Sequence, residues 1–283
     1  MKKILVPVDF SENALAAARY AATVAQHYGW SVHLLHAYLP FSSSFADEQF
    51  NKDIFAHKTS EALADMQPFE AQLAAEFPQL PLDSSCKDGL LGKVLPSLVK
   101  EDGYGLVVMG TKGASGLKHV ILGSNTFEII KKSPAPIIAI PNDDVHFSNE
   151  SCGLLTNFKP AEIDALSTYI TLFGTPTKLV LLHFSEKSDA RSEQVLDDWA
   201  KTIASETGIA QVKYISERLV GRVDVREELP DYIFNHAESA GISNLLVTKE
   251  RKNFLNSLFS RCLVRSIAHQ LKMPVYFHNA ERL

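Results

Sequence analysis

The segment Met109-Gly110-Thr111-Lys112-Gly113-Ala114-Ser115-Gly116, continuing to Leu122-Gly123-Ser124-Asn125-Thr126, carries the clearest chemical signal in the sequence. Gly110 directly follows an apolar run, where a missing Cβ lets an anion approach bare backbone. Gly123-Ser124 opens a helical pattern, and the first N–H groups of a helix, with the positive end of its dipole, attract phosphate. The chemistry is therefore anion binding by main-chain donors rather than by a charged side-chain cluster. Two common phosphate loops are excluded by spacing: no glycine is followed after four residues by Gly-Lys-Ser or Gly-Lys-Thr, and G-x-G-x-x-G is absent. On these residues alone, a ligand cradle and a set of turn-shaping glycines both remain open.

Other chemistry is thinly represented. Asp9 ends the first apolar run just before a helical pattern, where a carboxylate is also stabilised simply by the helix dipole. Ten histidines are dispersed without H-E-x-x-H, and Cys86, Cys152 and Cys262 show neither metal-ligand nor redox spacing. His36 and His183 stand at equivalent strand ends and read as repeated structural residues. Gly113-Ala114-Ser115-Gly116 is not a nucleophile elbow, so no esterase-type serine is indicated there. Ser42–Ser44 and the pair Lys112 and Lys118 read as loop polarity. No catalytic residue and no metal cluster is predicted.

The elements that must position this loop follow from periodicity. Ile4–Val8 is a short apolar run of the kind found in buried parallel strands. Ser11 is a plausible N-cap for an alanine-rich helix with Leu15, Ala18, Ala22 and Ala25 on one face, and Gly29 suits its C-terminal end. Ser31–Ala37 reads as a second strand. Residues 39–57 read as a long polar connection. Leu63, Met66, Phe69, Leu73 and Phe77 mark a helix with Pro68 inside it, which predicts a kink or a new helix start there. A weak strand at Leu82–Cys86, a helix over Leu90–Lys100, a strand at Leu106–Met109, a helix over Asn125–Lys132 and a strand at Ile137–Ile140 complete the pattern. Strands alternating with helices predict a parallel sheet covered on both faces.

The pattern then recurs. Gly153-Leu154-Leu155-Thr156-Asn157-Phe158 restates Leu5-Val6-Pro7-Val8-Asp9-Phe10, and Asn244-Leu245-Leu246-Val247 restates Leu106-Val107-Val108-Met109. A unit of this size signals duplicated domains rather than a solenoid. The expected boundaries are 1–143 and 151–283. In the second copy the positions of Gly110, Gly113, Gly116, Gly123 and Ser124 hold Thr248, Arg251, Phe254, Arg261 and Cys262, and Asp9 becomes Asn157. Arginine side chains would fill a phosphate cradle, so one site per chain is expected, in the first copy. Lys249, Arg251, Lys252, Arg261 and Arg265 read as a solvated basic face rather than a second anion site.

Bulk composition agrees with a globular protein. The 283 residues are 46% apolar and 22% charged, with a formal net charge of −5, which gives no sign of a nucleic-acid or membrane-surface binder. No apolar stretch is long enough to span a bilayer, Pro7 and Asp9 interrupt the N-terminal run too early for a secretory signal, and the sparse cysteines suit a reducing compartment. A cytoplasmic location is expected.

Gly110, two residues, Gly113, nine residues, Gly123-Ser124 resembles the ATP-binding signature of the universal stress protein family. The opening Ile4-Leu5-Val6-Pro7-Val8-Asp9-Phe10-Ser11 and the closing Ser133-Pro134-Ala135-Pro136-Ile137-Ile138 resemble the same family over residues 1–141, and more faintly over 152–279, as in its tandem members. The resemblance implies an α/β fold of two tandem flavodoxin- or Rossmann-like domains, each a mainly parallel five-stranded sheet with helices on both faces. It implies that Pro7 and Val8 line a base pocket with Ala37, and that Asp9 lies under the ribose or adenine. Met109 and Gly110 would approach the sugar and first phosphate, while Gly113, Gly123, Ser124, Asn125 and Thr126 enclose the phosphates of ATP or AMP. Magnesium or manganese could bridge those phosphates. It further implies intramolecular pairing of the two domains, room for a homodimer, and a regulatory role in a stress response through a protein partner. Slow ATP hydrolysis or phosphoryl transfer, and a pure interaction module, are the alternatives. No general base faces the loop in sequence, which favours a binder.

Overall fold

The computed structural model describes residues 2–39, 48–111, 124–141, 145–185, 191–219, 224, 227–249 and 261–279. The chain divides into two units, Met1–His146 and Phe147–Leu283. Unit 1 contains β1 (Lys3–Pro7), α1 (Glu12–Tyr28), β2 (Ser31–Tyr38), α2 (Glu48–Glu76), β3 (Leu82–Asp88), α3 (Leu91–Asp102), β4 (Leu106–Gly110), α4 (Ser124–Lys132) and β5 (Ile137–Ile140). Unit 2 repeats the order with β6 (Ser151–Leu155), α5 (Pro160–Phe173), β7 (Lys178–Ser185), α6 (Arg191–Thr207), β8 (Gln211–Arg218), α7 (Glu228–Ser239), β9 (Asn244–Lys249), α8 (Arg261–His269) and β10 (Val275–Asn279).

Within unit 1 the strands pair in parallel in the order β3-β2-β1-β4-β5. Unit 2 has the same topology, β8-β7-β6-β9-β10, again all parallel. The central strands are the continuous apolar runs of the sequence: Ile4, Leu5, Val6, Leu106, Val107 and Val108 are fully buried. A strand buried on both faces needs no polar alternation, which is why these segments read as apolar runs. In unit 1, α1 packs on β1, β2, β4 and β5, α2 lies on β2 and β3, and α3 packs on β1, β2 and α4. The chain winds outward from β1 to β3, then returns to the other side of β1 for β4 and β5. The point of reversal lies between β1 and β4, at whose carboxyl ends open α/β sheets bind ligands.

Local chemistry explains the first helix. Ser11 Oγ accepts from the N–H of Ala14 at 3.1 Å, and Gly29 closes the helix in the left-handed conformation at φ 66°. Leu15, Ala18, Ala22 and Ala25 are all buried, as their spacing predicts. Between strand and helix, Phe10 adopts φ 63°, and its counterpart Phe158 adopts φ 59°. A side chain in this region is strained unless its surroundings hold it there.

Four expectations require correction. The 39–57 connection is shorter than its polarity suggested, because α2 already begins at Glu48 and runs unbroken to Glu76. No new helix starts at Pro68. The ring faces solvent, as does Ala64 one turn before it, so the carbonyl deprived of its donor can be hydrated. Leu63 is exposed, and Ala62 takes its place beside Met66, Phe69 and Leu73 on the buried stripe. The strand expected at Leu82–Cys86 extends to Asp88, pairing with β2 as far as Tyr38. The Ser42–Ser44 run lies outside the described residues.

Candidate functional site

β1 and β4 are adjacent and parallel, with Ile4 opposite Leu106 and Leu5 opposite Val107, so their carboxyl ends lie on the same edge of the sheet. The β1 end is held from β2. Val8 donates its N–H to the Leu35 carbonyl at 2.9 Å, and the Val8 carbonyl accepts from His36 Nδ1 at 2.9 Å. A carbonyl only accepts, so the imidazole proton lies on Nδ1. The Phe10 ring packs on the His36 ring at 4.4 Å between centroids and meets Phe69 edge-on at 5.9 Å. These contacts hold the left-handed turn and leave Asp9 at the surface, where its Oδ1 accepts from Ser11 Oγ at 2.6 Å and Ser11 N–H at 3.2 Å.

The other predicted residues divide by position. Pro7 is the last residue of β1 and is buried, Val8 is 5% exposed, and Ala37 is half-buried near the end of β2. Met109 is 4% exposed on β4, so its side chain belongs to the core and only its backbone is available to a ligand. Ser124 and Asn125 form the first turn of α4, which contains no acidic residue, and Thr126 is buried there. Gly113, Gly116, Gly123, Lys112 and Lys118 lie outside the described residues, as do Arg251, Phe254 and Lys252 of unit 2. Among the described residues no group of three His, Cys, Asp or Glu is placed to hold a metal ion.

Gly110 has a reason to be glycine that the sequence did not disclose. A Cβ there would overlap the Asn13 amide and lie 2.9 Å from the Asn13 carbonyl oxygen. Asn13 is 5% exposed, and its Nδ2 donates to the Pro141 carbonyl at 3.1 Å. The amide thus ties the start of α1 to the end of β5 across the end of β4. At the corresponding places unit 2 has Ala161 and Thr248, so the bulk has moved from helix to strand. The Thr248 hydroxyl is buried with no hydrogen-bond partner among the described residues.

Unit 2 rebuilds the rest of this corner. His183 Nδ1 bonds the Thr156 carbonyl at 3.2 Å and its ring packs on Phe158 at 4.7 Å, repeating His36, Val8 and Phe10. Both histidines are structural, as their equivalent strand ends suggested. Where unit 1 exposes Asp9, unit 2 buries Glu162. Its Oε2 accepts from Thr156 Oγ1 at 2.6 Å and Trp199 Nε1 at 3.2 Å, and its Oε1 from the N–H groups of Asn157 at 2.7 Å and Lys159 at 3.2 Å. Burial raises the Glu162 carboxyl above its ordinary value, and the four donors oppose that rise. Burial likewise lowers His183. Glu162 was not legible as a functional substitute, since it falls in the first turn of an ordinary amphipathic helix.

An all-parallel sheet in the order β3-β2-β1-β4-β5, with helices between successive strands, defines a doubly wound α/β domain. Residues 1–141 match the family model described as the Universal stress protein family. The chain belongs to that family through its first unit, with a second unit of the same topology behind it. A universal stress protein of Methanocaldococcus jannaschii is 26% identical over 154 residues, covering 49% of this chain and 94% of that one. The crystal structure of a universal stress protein from Archaeoglobus fulgidus DSM 4304 covers 98% of this chain and 96% of its own, with a TM-score of 0.65 and 18% identity, which shows a shared fold. A universal stress protein solved in complex with cAMP covers 50% of this chain and 98% of its own, with 18% identity and a TM-score of 0.38. No helix among the described residues is long and apolar enough to cross a membrane.

Proposed function

We propose that unit 1 binds one adenine nucleotide, ATP or AMP, and that the bound state is a regulatory signal in a stress response. The observation that carries this reading is the surface carboxylate of Asp9, fixed by Ser11 at the end of β1, beside the strand that leads into the glycine loop. A carboxylate there suits ribose hydroxyls, and the acid-free first turn of α4 suits phosphate. Pro7, Val8 and Ala37 would face the base, Met109 and Gly110 would approach through backbone, and Gly113, Gly123, Ser124, Asn125 and Thr126 would enclose the phosphates. A divalent ion would be held by the phosphates themselves. Unit 2, with its turn donors taken by Glu162, would serve as a structural or partner-binding half.

Calorimetric titration of the full chain with ATP and AMP tests the reading. The expected result is about one nucleotide per chain, with binding weakened at least tenfold in Asp9→Ala and lost in Gly113→Arg, about 1.4 kcal/mol per factor of ten. Absence of heat with both nucleotides overturns it.

A further inference from the structure

Away from the glycine loop, the outer strands of unit 1 carry three side chains in a hydrogen-bonded line. His33 of β2 lies opposite Asp83 of β3 and diagonal to Ser85. Asp83 and Ser85 are two residues apart on one strand, so their side chains share a face with His33. His33 Nδ1 is 2.9 Å from Asp83 Oδ1, and His33 Nε2 is 2.8 Å from Ser85 Oγ. A carboxylate only accepts, so Nδ1 carries the proton and Nε2 is the acceptor for the Ser85 hydroxyl. This is the atom order in which a serine becomes a nucleophile, with the imidazole oriented by an acid on one nitrogen and poised as base on the other.

The surroundings suit the role. The His33 side chain is 12% exposed, with the Tyr104 ring at 5.7 Å fixing its plane, while Ser85 is half-buried and reachable. Because β3, among the described residues of unit 1, pairs with β2 alone, alternate N–H groups along it point away from that pairing. Val32 donates to the Pro81 carbonyl, which sets the odd residues of β3 toward β2 and the even ones outward. The N–H of Cys86, next after Ser85, therefore faces the rim and is the donor available to a developing oxyanion.

We propose that Ser85 is an acyl-accepting nucleophile activated by His33 and Asp83, acting on small activated esters. Ser85 Oγ attacks the ester carbonyl carbon while its proton passes to His33 Nε2. The tetrahedral species expels the alcohol oxygen, which takes that proton and leaves an acyl-serine. Water then attacks the acyl carbon, passes a proton through His33 back to Ser85 Oγ, and releases the carboxylic acid. This activity is independent of nucleotide binding, and the 64% exposure of the Asp83 side chain sets it as slow.

The purified full chain, mixed with p-nitrophenyl acetate, should show a burst of about one equivalent of p-nitrophenolate. Peptide mass spectrometry should place the acetyl group on Ser85, and a fluorophosphonate should label the same residue. Ser85→Ala and His33→Gln should abolish the burst with circular dichroism unchanged, and Asp83→Asn should slow acylation about tenfold or more. An acetyl group on Cys86 or a lysine instead of Ser85, no labelling at all, or an undiminished burst in folded His33→Gln overturns the proposal.

Discussion

At the scale of single residues, Gly110 and Asn13 behave as one unit. Gly110→Ala forces a Cβ into the Asn13 amide and should cost about 1–3 kcal/mol in urea unfolding. Asn13→Ala alone orphans the Pro141 carbonyl and should cost about 1–3 kcal/mol. In the double variant the overlap with the amide is gone and only the 2.9 Å approach to the residue 13 carbonyl oxygen remains, so the loss should fall short of the two single losses together by about 1 kcal/mol or more. Strict additivity would show that the two sites are independent. The glycine was legible in the sequence, but its cause was not. Its partner lies 97 positions earlier on a helix whose alanine-rich pattern gave Asn13 no special mark. The same holds for Ser85 and His33, 52 residues apart, which only the parallel register of β2 and β3 brings together.

At the scale of elements, strands and helices were legible wherever burial imposes a period. The helix α2 was legible only from its buried half. Its first turns expose Phe50 and Phe55 and bury little, so their composition resembles a loop. The start of α5 yields a prediction of its own. Because burial raises the Glu162 carboxyl, the folded protein holds that proton more tightly than the unfolded chain does. This contribution to stability is therefore full below the ordinary carboxylate value and is lost as pH rises through the folded value. Urea unfolding from about pH 4 to 8 should show wild-type stability declining with pH relative to Glu162→Gln, which cannot titrate. A constant difference between the two proteins across that range would refute the assignment.

At the scale of the whole molecule, the two units share one topology and differ in the chemistry of one corner. If ATP binds unit 1 alone, it stabilises that unit by about 2.7 kcal/mol at a hundredfold excess over Kd. Amide hydrogen exchange should then slow in β1, β4 and α4 and stay unchanged in β6, β9 and α8. Equal protection in both units would contradict a single site.

Phe10 and Phe158 give the molecule an internal control. Each sits in a left-handed turn that costs of order 1–3 kcal/mol, and each is clamped by a histidine reaching from the neighbouring strand. Only one of the two turns stands before a glycine loop. The other has kept its aromatic clamp while the glycines and the acid around it were replaced. The tension in the backbone is therefore carried by the architecture and not by the cargo. Loosening both turns should leave the folding of both halves impaired, while nucleotide binding, proposed for unit 1 alone, should suffer only from the turn at Phe10.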